Sequence, residues 1–524
     1  MNDSIIIEQP LKKEKDNAQK PTWICTKCGN VYPELPWACG GCQNKNFHLK
    51  NIETAVKYYY NHDPFFKKEM HNLMLKKMMT LSTELLTQTL LKKHYLYTTR
   101  DDDKAETWIY KEGIYISQGK TYIKEYCRKI LAKNYTTHLC NQVISKIEAD
   151  TYIEQEEFFN QESKEEICCK NGILNIVTKQ ITEFNPNKIF FAKIPITFNP
   201  RAICPNIEKH FKTVLKKKAD AEVMFELFGY LLYKEYKIEK AIMFIGDGRN
   251  GKGKTLDLMK RFIGPENCSS VPLQQFESDG FAAGELFKKL ANLSGDLDAK
   301  SLRHTGMLKQ LTGRDLIAAA RKFLNRVYFV NYAKLVFACN QLPKTYDTST
   351  AFWNRWLLFE FPYTFLSEDE LENVREEDKK KVRPRDPDII AKLTTEEEMS
   401  GLLNKALEGL ERILENKDFS NSPGVNDIKN TWIRKSDSFL AFCLDFIQED
   451  YDCKIEKSEL RKWYTAYCKK HKVKGQNDKV IKEALQENYG VSEFRDENGW
   501  HWEGISFKDG VVFEDLKGRR SKKC

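Results

Sequence analysis

One stretch decides how the centre of this chain folds: Ala241-Ile242-Met243-Phe244-Ile245, followed by Gly246-Asp247-Gly248-Arg249-Asn250-Gly251-Lys252-Gly253-Lys254-Thr255. The five apolar residues predict a buried strand, and the glycine-rich loop after them opens a segment with helical spacing of apolar residues. Amides at the start of a helix wrap phosphates, glycines allow close approach, and a lysine reaches the terminal phosphates. The stretch therefore predicts a phosphate-binding loop (P-loop) for ATP and Mg²⁺, in preference to a glycine-rich turn that binds nothing.

Two registers of this loop fit the phosphate-binding pattern. The register from Gly248 to Thr255 matches in full, with Lys254 as the lysine and the Thr255 hydroxyl for the metal. The register from Gly246 to Gly253 starts directly after the strand, although it leaves Gly253 where a serine or threonine usually holds Mg²⁺. Because the first register inserts two residues between strand and loop, we favour the second, with Lys252 as the phosphate-binding lysine.

Later segments offer the other groups that an ATP-driven motor needs. One apolar segment ends at Asp296, which is suited to Mg²⁺ and the attacking water, and Asp298 is either a second acid or a surface carboxylate. A third predicted strand ends at Asn340, whose side chain can position a water against the γ-phosphate. Arg355 precedes a further strand and is suited to reach the nucleotide of a neighbouring subunit, or else it stacks on the tryptophans beside it.

In order and spacing, these segments resemble the superfamily 3 DNA helicases, specifically those of the poxvirus primase–helicase and the satellite-phage or plasmid primase type. Residues 246–253 match the family's GxGxNGK-S/G loop, which supports Lys252 and makes Gly253 tolerable. Three further motifs of the family fall at Asp296 (second acidic motif), Asn340 (sensor asparagine) and Arg355 (arginine finger). Relatives often have two adjacent arginines at the last motif, where this chain has Asn354-Arg355.

The resemblance implies an AAA+-like core in a homo-hexameric ring that translocates on single-stranded and forked DNA with ATP. The region from Lys309 to Lys322 resembles an additional motif, whose later lysine lies on a DNA-contacting hairpin in the central pore. Without the resemblance, both lysines would be interpreted as ordinary solvated side chains. The resemblance extends less specifically over residues 105–510.

Two CxxC pairs lie near the start of the chain, Cys25-Thr26-Lys27-Cys28 and Cys39-Gly40-Gly41-Cys42. Four thiolates at this spacing converge on one tetrahedral Zn²⁺, so residues 21–50 predict a zinc ribbon. Because four sulfur ligands leave no open position, we expect a structural site. A redox role for one CxxC pair is the minor alternative.

The C-terminal segment, residues 431–510, has three stretches of helical periodicity and then two strand-like stretches around Asn498-Gly499, a strong hairpin turn. Basic and aromatic residues interleave in the second helical stretch. This order predicts a winged-helix DNA-binding domain, with a helical adaptor for a partner protein as the alternative. The basic tail, residues 511–524, predicts additional salt-sensitive affinity for DNA.

Length, composition and charge limit the classes of protein to which this chain can belong. The 524 residues exceed a single core, and 84 basic against 75 acidic residues give a net charge of +9, a mild excess compatible with a polyanionic partner. No apolar run approaches the ~20 residues that span a bilayer, so no membrane partner is expected. The 15 cysteines are mostly scattered and no secretory leader is evident. Both features favour an intracellular protein, in the cytoplasm or at a viral or plasmid replication site.

We therefore predict a multidomain α/β protein acting as the ATP-dependent replicative DNA helicase of a viral, phage or plasmid-like replicon, with a separate primase or polymerase as candidate partner. A bifunctional primase–helicase is disfavoured, because a primase site needs clustered carboxylates and a histidine. The only acidic triplet upstream, Asp101-Asp102-Asp103, is in a polar stretch without matching companions. A DNA-binding assembly platform, whose ATP site only orders the ring, is the other alternative. The predicted divisions are 1–20 (flexible leader), 21–50 (zinc ribbon), 51–235 (α+β region), 236–365 (helicase core), 366–430 (linker and helical segment), 431–510 (winged helix) and 511–524 (basic tail).

Overall fold

A computed structural model describes residues 20–516, apart from residues 29, 44, 46, 62, 102, 103, 296, 298–300, 323, 348, 472 and 498. The described residues form two compact units, one up to Lys193 and the other from Ile194. Within the described part of the chain, no helix is long and apolar enough to cross a bilayer. The predicted leader up to residue 19 and the predicted basic tail from residue 517 lie outside the described residues.

The first unit begins with a small antiparallel sheet and continues as a mixture of helices and short sheets. The small sheet has the order β2-β1-β3, from β1 (Trp23–Cys25), β2 (Val31–Tyr32) and β3 (Phe47–Leu49). The later elements are α1 (Ile52–Asn61), α2 (Asp63–Leu75), α3 (Met79–Lys93), β4 (Leu96–Thr99), β5 (Thr107–Lys111), β6 (Ile114–Ile116), α4 (Gly119–Leu131), α5 (Thr137–Asp150), β7 (Tyr152–Ile153), α6 (Gln155–Asn160), β8 (Glu166–Cys169), β9 (Gly172–Asn175) and β10 (Ile181–Thr182).

Local sequence patterns account for two features of this unit. The aromatic and β-branched residues around a glycine turn in residues 107–115 predict a hairpin, and β5 and β6 form it with Tyr110 opposite Tyr115. The helical periodicity from Phe65 to Leu91 predicts helix, and the structure divides this stretch between α2 and α3. Lys77, at the break, has a φ of +57°, in the left-handed region that interrupts a helix.

The second unit is built around a parallel sheet with the strand order β12-β13-β16-β11-β17. Every residue of β11 and β16 is buried, as expected for central strands covered on both faces. The parallel strands with intervening helices agree with the α/β class predicted from the sequence. The elements are α7 (Pro205–Val214), α8 (Asp220–Leu232), β11 (Ala241–Ile245), α9 (Lys252–Ile263), β12 (Cys268–Ser269), α10 (Gln275–Ser278), β13 (Ala291–Ser294), α11 (Gly306–Thr312), β14 (Leu316–Arg321), β15 (Leu324–Val330), β16 (Lys334–Cys339), α12 (Thr350–Trp353) and β17 (Trp356–Glu360).

The highly charged first part of the predicted linker and helical segment, residues 366–390, contains regular elements. Its strand β19 pairs in parallel with β18, with Phe365 opposite Arg383. Many of its charged side chains are exposed and ion-paired, which explains why composition alone resembled a linker. The elements are β18 (Thr364–Leu366), α13 (Glu368–Glu372), β19 (Val382–Pro384), α14 (Ile389–Leu393), α15 (Glu396–Asn416) and α16 (Val425–Ser436).

Helices α15 and α16 complete the support around the sheet. Helix α15 approaches α8 so closely that a Cβ on Gly229 would overlap the carbonyl oxygen of Ala406, so only glycine fits there. Helix α16 contributes Trp432, which is buried against Trp356 and donates from its Nε1 to the carbonyl of Pro343 at 2.8 Å.

The C-terminal part of the second unit has three helices and a three-stranded antiparallel sheet in the order β20-β22-β21. The predicted hairpin is present, with Arg495 opposite Trp500, while Asn498 lies outside the described residues. Strand β20 was not predicted and separates the first helix from the second. The elements are α17 (Ser438–Phe446), β20 (Ile447–Glu456), α18 (Lys457–His471), α19 (Asp478–Tyr489), β21 (Ser492–Asp496) and β22 (Gly499–Phe507).

Candidate nucleotide-binding site

The glycine-rich loop connects buried β11 to the first turn of α9. Gly251 precedes the helix with a φ of +96°, a left-handed conformation that glycine adopts without strain. At the other end of the loop, a Cβ on Gly246 would overlap the Asn250 side chain and the Phe361 carbonyl. Asn250 donates from Nδ2 to that carbonyl at 3.2 Å and accepts from the Lys252 amide at 3.3 Å. The Asn250 side chain therefore stabilises the conformation of the loop.

Lys252, the first residue of α9, points into the molecule with only 6% of its surface exposed. Its Nζ donates to the carbonyl of Gly246, to the carbonyl of Asp247 at 3.1 Å and to Asn340 Oδ1 at 3.0 Å. Asn340 directly follows β16, the strand hydrogen-bonded to β11. The structure thus brings two of the predicted site residues together at the carboxyl ends of adjacent parallel strands, where ligands of α/β sheets bind.

The neighbouring residues of α9 differ from Lys252 in exposure. Lys254 is exposed, whereas Thr255 is fully buried and its Oγ1 donates to the Gly251 carbonyl at 3.1 Å. The Thr255 hydroxyl is therefore occupied within the helix. A Cβ placed on Gly253 would meet no atom within 4 Å, and the same holds for Gly248.

The predicted acids Asp296 and Asp298 lie outside the described residues. The strand before them, β13, ends at Ser294 and pairs with β16, with Ser294 opposite Phe337. Its carboxyl end therefore belongs to the same edge of the sheet as Asn340.

Arg355 is engaged within its own subunit and is 14% exposed in its side chain. Its Nε donates to Thr312 Oγ1 at 3.0 Å, one terminal nitrogen donates to the Ala351 carbonyl at 2.7 Å, and the other lies 3.3 Å from Glu239. Among the described residues, no contact joins the guanidinium to Lys252 or Asn340.

The two predicted DNA-contacting lysines have different surroundings. Lys309 forms an ion pair with Asp347 at 2.6 Å. Partial burial works against charge on Asp347, but the Lys309 ammonium and the hydroxyls of Ser349 and Thr305 hold the pKa of this carboxyl well below its usual range. Lys322 is exposed at the turn between β14 and β15.

A cavity of about 670 Å³ opens beside the loop. Gly251 and Lys254 line it on the loop side, and α7 contributes His210. His210 is 8% exposed, and burial lowers the pKa of its imidazole to about 4, so the ring is neutral at physiological pH. No sequence pattern singles out this residue, because a histidine on an amphipathic helix usually packs against the core.

The four cysteines of the N-terminal module converge in the first unit. Their sulfur atoms all lie within 4.8 Å of one another, with 3.6 Å between Cys25 and Cys42 and 3.3 Å between Cys28 and Cys39. Sulfur ligands at ~2.3 Å from a tetrahedral Zn²⁺ are ~3.8 Å apart, so the cluster is compatible with a zinc site. Tyr32 also donates to Cys39 Sγ at 3.2 Å.

Comparison with known proteins yields two family matches, to the D5 N terminal like family over residues 66–218 and to a family of unknown function (DUF5906) over residues 244–355. The chain is 24% identical to putative helicase V13 of Sputnik virophage, over 66% of this chain and 45% of that protein. It is 26% identical to putative helicase 022R of Frog virus 3, over 47% of this chain and 26% of that protein. The chain spans less than half the length of these curated relatives.

Among solved structures, the apo C-terminal region of NrS-1 aligns with a TM-score of 0.40 and 14% identity, covering 80% of this chain and 98% of that one. The D5-like match and the viral relatives confirm the resemblance of this chain to the viral superfamily 3 helicases.

Proposed function

We propose that this chain is the ATP-driven motor of a viral DNA replication system, a ring-forming helicase of the superfamily 3 type. The observation that carries this proposal is the 3.0 Å hydrogen bond from Lys252 to Asn340, which joins the loop after β11 to the end of β16. A lysine for the terminal phosphates beside a polar group at the tip of the next strand suits ATP hydrolysis. The names of the viral relatives, all helicases, support the same function.

Each residue around the loop would have a separate role in ATP hydrolysis. ATP bound with Mg²⁺ supplies the phosphoryl group to be transferred. Lys252 would exchange its bonds to the loop carbonyls for the negative charge of the terminal phosphates, and the amides at the start of α9 would add further donors. Asn340 would orient the attacking water, and Asp296 and Asp298 are the proposed acids for Mg²⁺ and water.

The β14–β15 hairpin is the proposed DNA-contacting element. Lys322 is exposed at its turn, where its ammonium is accessible to a backbone phosphate. Lys309 is the weaker candidate, because it is only partly exposed and forms an ion pair with Asp347. Single-stranded and forked DNA are the proposed substrates, and the ring is the proposed homo-hexamer.

The two terminal modules are proposed to serve the motor. The C-terminal helices with their β21–β22 hairpin are proposed to be a winged helix for duplex or junction DNA. The four cysteines are proposed to bind a structural Zn²⁺, which predicts about one zinc ion per chain in metal analysis of the purified protein. Cys39→Ser should lose the metal, since Cys39 is buried in the cluster, whereas Cys453→Ser should keep it, since Cys453 is an exposed cysteine of the other unit.

The test of the motor compares wild type with Lys252→Ala and Lys254→Ala in ATP hydrolysis and forked-duplex unwinding, with and without single-stranded DNA. Lys252→Ala should lose DNA-stimulated hydrolysis and unwinding by about 100-fold or more, because the group facing the terminal phosphates is removed. Lys254→Ala should retain most activity, because its side chain is exposed.

The opposite pattern would move the lysine role to the other register of the loop. A wild-type protein that binds ATP but neither hydrolyses it nor separates strands at any salt concentration would contradict the motor. The ATP site would then only order an assembly on DNA.

A further inference from the structure

We propose that the 670 Å³ cavity beside the loop is the nucleoside subsite of the nucleotide site, and that His210 is the residue that recognises the base. This inference rests on the proposed function, since it assigns a location to the part of ATP that the phosphate loop does not touch. It names a specificity residue that neither the loop motif nor the family matches identify.

Position is the first argument. The cavity includes Gly251 and Lys254, so it begins where the phosphate-binding loop enters α9. A nucleotide whose phosphates lie on the amides of this turn extends its sugar and base away from the loop. The cavity volume of about 670 Å³ lies within the range of ~300–1,000 Å³ typical of small-molecule sites.

The walls suit a flat aromatic base. On one side, Val214 from α7 contacts the loop, and a Cβ on Gly251 would lie 3.1 Å from it. Phe365, Pro384 and Ile389 add apolar surface from the segment after the sheet. Bases bind between apolar and aromatic side chains through their faces, which leaves their edges for hydrogen bonds.

Two of the basic side chains that line the cavity are already paired with carboxylates. Arg249 pairs with Glu370 at 2.6 Å and Lys392 pairs with Asp386 at 2.6 Å, so two of the charges are partly neutralised. Lys254 lines the loop end of the cavity with an exposed side chain, so its ammonium can lie in solvent rather than on the nucleotide.

His210 carries the recognition argument. It lines the cavity, it is 8% exposed, and its Nε2 is buried without a hydrogen-bond partner among the described residues. A buried polar atom left unpaired is costly, and the cost is removed when a ligand supplies a partner. Because Nε2 is covered in the structure, a bond to a base edge requires the imidazole ring to turn toward the cavity. A neutral imidazole can donate or accept there and can pair with a base edge.

The experiment measures competition of ATP, GTP, CTP, UTP and inorganic tripolyphosphate against a fluorescent ADP analogue. The proteins compared are the wild-type chain and its variants His210→Phe, Thr213→Trp and Lys252→Ala. His138→Phe is the matched control, since His138 is exposed in the other unit. His210→Phe should shrink the spread of affinities among the four nucleotides by about tenfold, the worth of one base hydrogen bond, and leave tripolyphosphate unchanged. Thr213→Trp, which fills the cavity, should weaken all four nucleotides toward the affinity of tripolyphosphate.

A second measurement uses only the wild-type protein, so its result does not depend on whether the variants fold. Photo-crosslinking with 8-azido-ATP should label peptides from residues 205–214 or 384–392. Labelling confined to other peptides, or a His210→Phe protein with unchanged base preference, would contradict the proposed nucleoside subsite. If nucleotide binding still depended on Lys252, the proposed motor function would not be affected by either result. A wild type that binds no nucleotide would overturn the proposed function itself.

Discussion

Glu69, in α2 of the first unit, is a buried carboxyl group, and burial disfavours its charged form. It is 5% exposed, and burial raises its pKa from 4.5 to about 7. In the unfolded chain the group ionises near 4.5, so between pH 4.5 and 7 the folded state binds more protons. The stability of this unit should therefore fall as pH rises through that window and level off above it.

Glu69→Gln removes the proton linkage and should keep the first unit more stable at pH 7 than wild type, by up to about 3 kcal/mol. The measurement is hydrogen–deuterium exchange of peptides from α2 in the full chain at pH 5 and pH 7, corrected for intrinsic exchange. Glu53→Gln, at an exposed position in α1, should change neither value. Equal pH dependence in Glu69→Gln and wild type would contradict the buried carboxyl.

At the scale of elements, α7 owes its position to a carboxylate from α15. Glu398 is 5% exposed and accepts hydrogen bonds from the backbone amides of Asn206 at 3.0 Å and Ile207 at 3.1 Å, in the first turn of α7. These amides have no partner within their own helix, and a negative charge there also favours the helix dipole. Helix α7 carries His210 into the cavity, so Glu398 supports the proposed subsite from a distance.

Glu398→Ala should lower the free energy of unfolding by about 1–3 kcal/mol, because two buried amides lose their acceptor. It should also weaken ATP binding while tripolyphosphate binding stays close to wild type, since the loop is held by other contacts. Urea unfolding and the same competition assay check both effects. Glu397→Ala is the matched control, one residue away and exposed. Unchanged stability in Glu398→Ala would mean that α7 is held mainly by its apolar face.

Other elements show where local pattern is sufficient. The hairpin of β5 and β6 and helix α15 follow from alternation, turn residues and helical periodicity, which are contiguous in the chain. Strand β20 was missed because half of its side chains are exposed and only two are buried, so it lacks the apolar alternation of a half-buried strand. Its pairing with β22, with Ile455 opposite Trp502, depends on a partner nearly fifty residues away.

At the scale of the whole molecule, Arg355 gives a test of assembly. Its contacts with Thr312 and Glu239 hold its side chain in its own subunit. To act as an arginine finger on the neighbouring subunit, Arg355 would have to break these contacts when the ring assembles. If a site combines Lys252 of one subunit with Arg355 of the next, a mixture of Lys252→Ala and Arg355→Ala proteins forms some interfaces with both residues intact.

Each variant alone should be inactive in ATP hydrolysis, and mixing the two should restore a measurable part of the wild-type rate. Activity is measured after co-incubation with single-stranded DNA, with each variant mixed with itself as the control. If mixing restores nothing while both variants still assemble, Arg355 acts within its own subunit. The hydrogen bond to Thr312 would then be its main role.

The sequence by itself determined the strand, the glycine-rich loop, the lysine at the start of α9 and the four clustered cysteines. Each of these depends on spacing along a short stretch, and short-range spacing fixes periodicity and turn geometry. Only the tertiary structure decided that Lys252 meets Asn340, because those residues are 88 positions apart in the chain.

The same holds for Lys334, whose position in β16 is fully buried although lysine usually marks a surface. Its ammonium donates to the carbonyls of Tyr233, Glu235 and Tyr332 at 2.5, 3.1 and 2.7 Å, and burial holds its pKa well below the usual range. Its burial is set by segments far away in sequence. A buried amine such as that of Lys334 is tolerated only where such segments supply its partners, and no local pattern records them.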